Sequence, residues 1–499
     1  MRKTLFIKNA VILTVTGLIL RFLGIIFKIW LAGRVGAEGI GLYHLVFSVY
    51  TFVATFASSG ITVAVTRLAA NEMALGTKEG LIKIIKKSNA IVLFVSLISF
   101  LLTLFGSEFI AFKIIGDIRS EESIAILGFS LPFMAVSAVL KGYFTARRKI
   151  GINSFAVLLE QAVRITLCLY FVNIFSQKGI GMAVAGVILG DTVAEICSCL
   201  FSLIFYKIDI KKAYCNGSEP LFCSAKEILR ISSPITIGRY LTSLLRTAEN
   251  ILMPKALFKA GGEYSRSLSL FGSLKGMALP VLFFPSTVLN AFSTLLIPEM
   301  SEALVKRQPK IIRLNVERSI KLTLIIGIIF GGIFFFGGGR IGNLIYNDTD
   351  SGYLIKVLAP LTPLMYCDCI CDGILKGLDR QNFTFRTSVS DSLLRIILIA
   401  LFVPKSSMQG FIYIMYISNL LTFSLNFFKL IKETGAKIKI FAEILFPAFL
   451  SVGICSTAFT ILNKISADFL FVGTYTAFAL IIYFGVMFLS GNLKTLITN

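Results

Sequence analysis

The chain has 499 residues and a mean hydropathy of +0.83; 56% of its residues are apolar and only 15% charged, which excludes an ordinary soluble globular domain. Its net charge of +22 invites a nucleic-acid reading, but the placement of its 49 Lys and Arg between apolar runs is explained by a membrane alone. No connection exceeds about 25 residues, which leaves no room for a soluble catalytic domain.

Apolar runs of about 20 residues, each long enough to cross a ~30 Å hydrocarbon core as a helix, recur from end to end. Fourteen spans are predicted: 9–32, 40–68, 88–106, 123–144, 153–175, 180–206, 231–253, 268–297, 322–339, 352–376, 383–403, 407–428, 444–462 and 467–490. Arg2, Lys3 and Lys8 precede the first run as in a signal peptide. That run is too long for one, however, and Trp30 and Arg34 follow it, so an uncleaved span is expected. With the N-terminus inside, thirty Lys and Arg fall on cytoplasmic segments and eleven on external ones. This asymmetry predicts a multi-pass protein of the cytoplasmic membrane with both termini cytoplasmic.

Eight cations remain inside the spans: Arg21, Lys28, Arg67, Arg164, Arg239, Arg246, Lys275 and Arg395. Each costs about 2.5–3.5 kcal/mol at mid-bilayer, so a task is expected of them. Arg21 and Lys28 stand seven apart in span 1, as do Arg239 and Arg246 in span 7, which puts each pair on one helix face. Guanidinium forks suit phosphate oxygens and stay charged when buried. With Lys275 of span 8, these four are the candidate diphosphate-binding residues. Arg67 lies near the cytoplasmic end of span 2, where snorkelling is cheap.

Seven acids also fall inside the spans. Glu160 with Arg164, and Asp391 with Arg395, are acid-then-base pairs four apart, expected as structural or coupling ion pairs. Glu249, three residues after Arg246, offers that arginine a structural partner. Asp191 and Glu195 share a face of span 6, as Asp368 and Asp372 do in span 10. Neither pair has a cation in its own span, so partners are expected on other helices. With Glu249, these four are the candidates for cation coupling. Eight bases against seven acids leave two outcomes open: an electropositive cavity, or a polar one whose charges cancel.

The nine cysteines are mostly intramembrane and predict no disulfide framework. Cys369 points away from the helix face shared by Cys367 and Cys371, so no metal site is expected. His44, the single histidine, is read as a packing or hydrogen-bonding residue. Gly337-Gly338-Gly339 is expected to end span 9.

Spans 1–6 and 7–12 read as two copies of one unit. Leu140-Lys141-Gly142 ends span 4 and Leu375-Lys376-Gly377 ends span 10. The Glu160/Arg164 pair of span 5 has its counterpart in Asp391/Arg395 of span 11. Gly36-Ala37-Glu38 follows span 1 and Gly261-Gly262-Glu263 follows span 7. That loop match aligns Arg21 with Arg246, whereas the seven-residue spacing aligns it with Arg239. An even number of spans per copy makes the repeat parallel. The expected division is a first lobe at 1–210, a cytoplasmic linker at 211–230, a second lobe at 231–430 and a terminal helix pair at 431–499. The fold class is therefore an all-α polytopic membrane protein.

Several stretches carry a resemblance: Gly17 through Arg21-Phe22-Leu23-Gly24, the turn Val35-Gly36-Ala37-Glu38-Gly39-Ile40-Gly41-Leu42-Tyr43, Gly276-Met277-Ala278-Leu279-Pro280, and Leu296-Ile297-Pro298-Glu299-Met300-Ser301-Glu302. In them the chain resembles the multidrug/oligosaccharidyl-lipid/polysaccharide (MOP) flippase superfamily, and within it the stage V sporulation protein B and polysaccharide-exporter branch. Lipid II flippases of the MurJ type share the Arg-x-Leu-Gly pattern found here from Arg21 to Gly24. Their second arginine, a turn and a half later, is replaced by Phe27 with Lys28 beside it. The resemblance implies two six-helix lobes around a central cavity and export of a polyprenyl-pyrophosphate-linked saccharide by alternating access. It implies no enzymatic step and no cofactor, with a Na+ or proton gradient or the membrane potential as the energy source. The expected partners are the bilayer and cell-envelope synthesis enzymes, not nucleic acid.

Two other functions remain open at this point. A cation-coupled drug efflux transporter of the same superfamily would want an acidic cavity. A membrane glycosyltransferase or polymerase would want acids at a loop face, where the external loops offer only Glu108, Asp117, Asp348 and Asp350.

Overall fold

A computed structural model describes residues 2–212, 215, 220–221 and 224–492, and among them there is no β-strand. The first seven helices are α1 (Arg2–Ser58), α2 (Ile61–Leu75), α3 (Lys78–Phe105), α4 (Glu121–Gly128), α5 (Ser130–Ala146), α6 (Ile150–Phe175) and α7 (Ile180–Lys211). After the linker come α8 (Ala225–Lys259), α9 (Tyr264–Gly272), α10 (Leu279–Phe283), α11 (Ser286–Val305) and α12 (Pro309–Tyr346). The chain ends with α13 (Thr349–Leu358), α14 (Thr362–Gly377), α15 (Gln381–Thr434), α16 (Phe446–Leu462) and α17 (Asp468–Leu489).

Among the described residues ten helices are long and apolar enough to cross a membrane, or eleven if the bent pair α4–α5 counts as one span. The expected fourteen fit this number. α1 and α15 each carry two apolar segments, joined at the non-helical residues Gly36 and Ser407, and the more polar α8 falls outside that criterion. The protein is a multi-pass membrane protein.

The chain forms two compact units, 1–251 and 252–499, and the division falls inside α8. In the first unit, α2, α3 and α5 close on an apolar core that includes Val65, Ala69, Leu81, Ile84, Val139, Leu140 and Phe144. Glu72, 1% exposed, is tolerated in this setting because its Oε1 accepts from the backbone N–H groups of Thr77 (3.2 Å) and Leu221 (3.1 Å). At the same end, Tyr143 and Arg147 donate to Asp209 at 2.8 and 3.0 Å, and Lys149 completes the cluster. Its contact with Asp209 holds Arg147, just past the end of α5, above the usual arginine pKa.

The internal repeat is visible in matching contacts. In the first unit Thr66 Oγ1 donates to Gly142 O at 3.2 Å, and a Cβ on Gly142 would lie 2.8 Å from Thr62 O. In the second unit Ser301 Oγ donates to Gly377 O at 2.8 Å, and a Cβ on Gly377 would lie 2.9 Å from Ile297 O. Thr62 and Ile297, Thr66 and Ser301, and Gly142 and Gly377 are all separated by 235 positions. The turns after span 1 and span 7 match as well: Gly36 has φ 68° and Gly261 φ 98°, a left-handed region that favours glycine. The turn match, offset by 225 positions, supports the register that aligns Arg21 with Arg246, whereas the helix contacts further along are offset by 235.

In the second unit α12 runs through Gly337-Gly338-Gly339 as helix to Tyr346 instead of ending there. The missing side chains let neighbours approach: a Cβ on Gly337 would meet Tyr475 of α17 at 2.8 Å, and one on Gly338 would meet the Lys356 backbone of α13 at 2.8 Å. Buried Tyr475 and Tyr483 bond to α12 carbonyls, and Ser451 of α16 donates to Ile328 O at 3.1 Å, so the terminal pair is fastened to α12.

Candidate functional site

Within the first unit a cavity of about 790 Å3 is lined by α1, α2, α5 and α8, a size typical of ligand sites. α1 contributes His44, Ser48, Thr51, Thr55 and Ser58, and α8 contributes Arg239, Ser243, Arg246 and Asn250. Both sets recur every three or four residues, which on a helix makes one polar stripe. The hydroxyls of Ser48, Thr51, Thr55 and Ser58 each donate to the carbonyl four residues back, at 2.6–2.8 Å. That bond satisfies the proton inside the membrane and leaves oxygen lone pairs for the cavity. Across the helices, Thr247 Oγ1 donates to Ser48 O and Asn250 Nδ2 to Ser48 Oγ, both at 3.0 Å, while Thr236 Oγ1 donates to Ser59 O at 2.6 Å.

Three cations line this cavity: Arg239, Arg246 and Lys141 of α5. No carboxylate is among its lining residues, and none of the three side chains forms an ion pair or hydrogen bond among the described residues. Arg246 is exposed and unpaired, while Glu249 is buried, so the two do not form the structural couple that their spacing permits.

Sequence reasoning missed Lys141, because at the end of span 4 it was counted with the cytoplasmic cations. The signal was present: Leu140-Lys141-Gly142 is a repeat motif whose glycine presses α5 onto α2. Arg21 is exposed and Lys28 half-buried; neither lines the cavity. Both precede the Gly36 break, whereas the α1 residues at the cavity begin at His44, so the break separates the span-1 ladder from this polar stripe. Lys275 lies in the second unit, half-buried on a single π-helical turn, Ser273–Ala278. Arg67 is exposed, as its position near the end of span 2 leads one to expect.

The remaining buried charges are mostly paired. Arg164 lies 2.8 Å from both Glu160 and Asp191. Arg395 lies 3.1 Å from Asp391, and Ser418 bonds to both. Asp368 accepts from Asn426 at 2.8 Å. Asp372 corrects an expectation: its partner is Lys376 of the same helix, at 2.5 Å, one turn on and at the end of the span. A second cavity of about 260 Å3 is lined by Tyr50, Lys141, Glu160, Arg164, Asp191 and Glu195 among others. Among the described residues no group of three His, Cys, Asp or Glu is placed to hold a metal ion.

Residues 6–304, more than half of the chain, match the polysaccharide biosynthesis protein family. The chain belongs to that family. Stage V sporulation protein B of Bacillus subtilis is a relative, 27% identical over 412 residues that cover 82% of this chain and 80% of the relative. The fold matches the inward closed structure of a lipid II flippase MurJ with a TM-score of 0.74 and 14% identity, covering 97% of this chain and 99% of that one. It also matches the inward-facing structure of a multidrug resistance MATE family transporter of the MOP superfamily, with a TM-score of 0.64 and 15% identity over 85% of this chain and all of that one. This polysaccharide biosynthesis family member thus shares its fold with a lipid II flippase and with a multidrug transporter of the MOP superfamily.

Proposed function

We propose that the chain exports a polyprenyl-pyrophosphate-linked saccharide across the cytoplasmic membrane by alternating access, the saccharide being a lipid II-like peptidoglycan precursor or another cell-envelope polysaccharide unit. One observation carries this reading: a membrane cavity holding three unpaired cations with no carboxylate in its lining. Two guanidinium forks and an ammonium match the oxygens of a diphosphate, and the hydroxyl stripe suits a sugar. The excess of Lys and Arg on alternate connections supports the expected orientation, with both termini cytoplasmic. Arg239 and Arg246 hold the diphosphate. Arg21, Lys28 and Lys275 stand as further ligands on other parts of the cargo's route.

The test is complementation of a strain that lacks the resident exporter. Arg239→Ala/Arg246→Ala is expected to lower export more than tenfold, since each charged hydrogen bond is worth about 1.5–3 kcal/mol. Unaltered export at equal protein level rejects the assignment. The fold match to a multidrug transporter favours a second reading, efflux of cationic drugs. That reading predicts drug resistance that survives the arginine double variant.

A further inference from the structure

Lys141 lines both cavities of the first unit. On one side it faces Arg239 and Arg246 and on the other a cluster of carboxylates. The smaller cavity holds three acids, Glu160, Asp191 and Glu195, and two cations, Arg164 and Lys141. Arg164 is occupied by Glu160 and Asp191, each at 2.8 Å. The third acid, Glu195, is only 7% exposed, and its Oε1 has no hydrogen-bond partner among the described residues. Lys141 is the cation left to answer it, yet the two form no salt bridge. The groups facing Glu195 are Glu160 and Arg164 from α6, Lys141 and the Ser137 hydroxyl from α5, Tyr50 from α1, and Asp191 and Cys199 on its own helix.

We infer that Lys141 is a shuttle cation that alternates between the Glu195 carboxylate and the anionic cargo, and that a proton on Glu195 releases it to the cargo. With Lys141 turned to the larger cavity, the cluster holds three negative charges against Arg164 alone, and one added positive charge restores the net charge it has when Lys141 is present. A proton on Glu195 supplies that charge, because this carboxyl is buried with its Oε1 unmet while Arg164 already sits on the other two acids. When Glu195 is ionised, the ammonium is drawn towards it and away from the cargo. When Glu195 is protonated, nothing in the smaller cavity competes for Lys141 and the larger cavity gains a ligand. Proton uptake thereby sets the affinity for the anion, the linkage a proton-coupled transporter needs.

This inference rests on the anionic-cargo reading, and one experiment separates the two. The full chain in nanodiscs is titrated with inorganic pyrophosphate between about pH 8 and about pH 4, a range that includes the usual glutamate and histidine values. Wild-type protein is expected to bind about tenfold more tightly at the acid end, the worth of one charged contact. Glu195→Gln is expected to bind tightly throughout. Lys141→Gln is expected to bind weakly throughout, with Lys141→Arg restoring the pH response, which a merely structural lysine would not do. Binding that depends on Arg246 but keeps the wild-type pH response in Glu195→Gln or in Lys141→Gln overturns the shuttle alone. Absence of pyrophosphate binding by the wild type at every pH overturns the anionic-cargo reading, and the shuttle with it.

Discussion

The charged residues of this protein separate into those held by a carboxylate and those left for a ligand, and spacing along the chain predicts only part of that division. Arg164 and Arg395 are held, as the acid four residues before each leads one to expect. Arg239 and Arg246 are not, although Glu249 stands within reach along the helix. Arg164→Ala is expected to lower stability by about 3 kcal/mol, because Glu160 and Asp191 would remain partly buried without their counter-ion. Adding Glu160→Gln and Asp191→Asn should recover most of that loss in a thermal melt of the purified protein. If Arg164→Ala melts with the wild type, the pair is not structural. Lys141 and the Asp372–Lys376 pair escaped the sequence reading for one reason: both lysines lie at span ends, where a count of loop charges claims them. Lys141 nevertheless lines two cavities and Lys376 turns back one helical turn to Asp372, and only coordinates show which way a flexible four-carbon stem turns.

At the scale of the elements, hydrophobic length located the spans, and the departures from it have local causes. α1 and α15 read as two spans each, yet each continues through a single non-helical residue, Gly36 or Ser407. α12 outlasts its glycine triplet because those glycines receive neighbouring helices. Gly142 and Gly377 carry the same close approach in the two copies of the repeat. Gly142→Val and Gly377→Val are each expected to cost about 1–3 kcal/mol through overpacking against a backbone carbonyl. Gly36→Ala should cost about 1 kcal/mol from backbone strain alone, since nothing stands near the added methyl. Equal melting temperatures for Gly142→Val and wild type would show that α2 and α5 are not pressed together there.

For the whole molecule, the repeat organises both units, and the terminal helices are added by contacts to α12. Arg340 bears much of that attachment: it donates to Ile465 O at 2.9 Å, lies 3.3 Å from Asp468 and stacks 4.3 Å from the Phe471 ring. Arg340→Ala is expected to cost about 2 kcal/mol and to open the 463–467 turn to protease, whereas an unchanged digestion pattern would place the attachment elsewhere. The amino-acid order alone determined the membrane class, the helical spans, the parallel repeat and the seven-residue arginine pair of α8. These follow from chain length against bilayer thickness and from helical periodicity, both local properties of the chain. Tertiary structure alone decided which cations share a cavity, because a charge's partner depends on helices distant in sequence. It set Lys141 beside Arg239 and Arg246 and left Arg21 and Lys28 outside the same pocket.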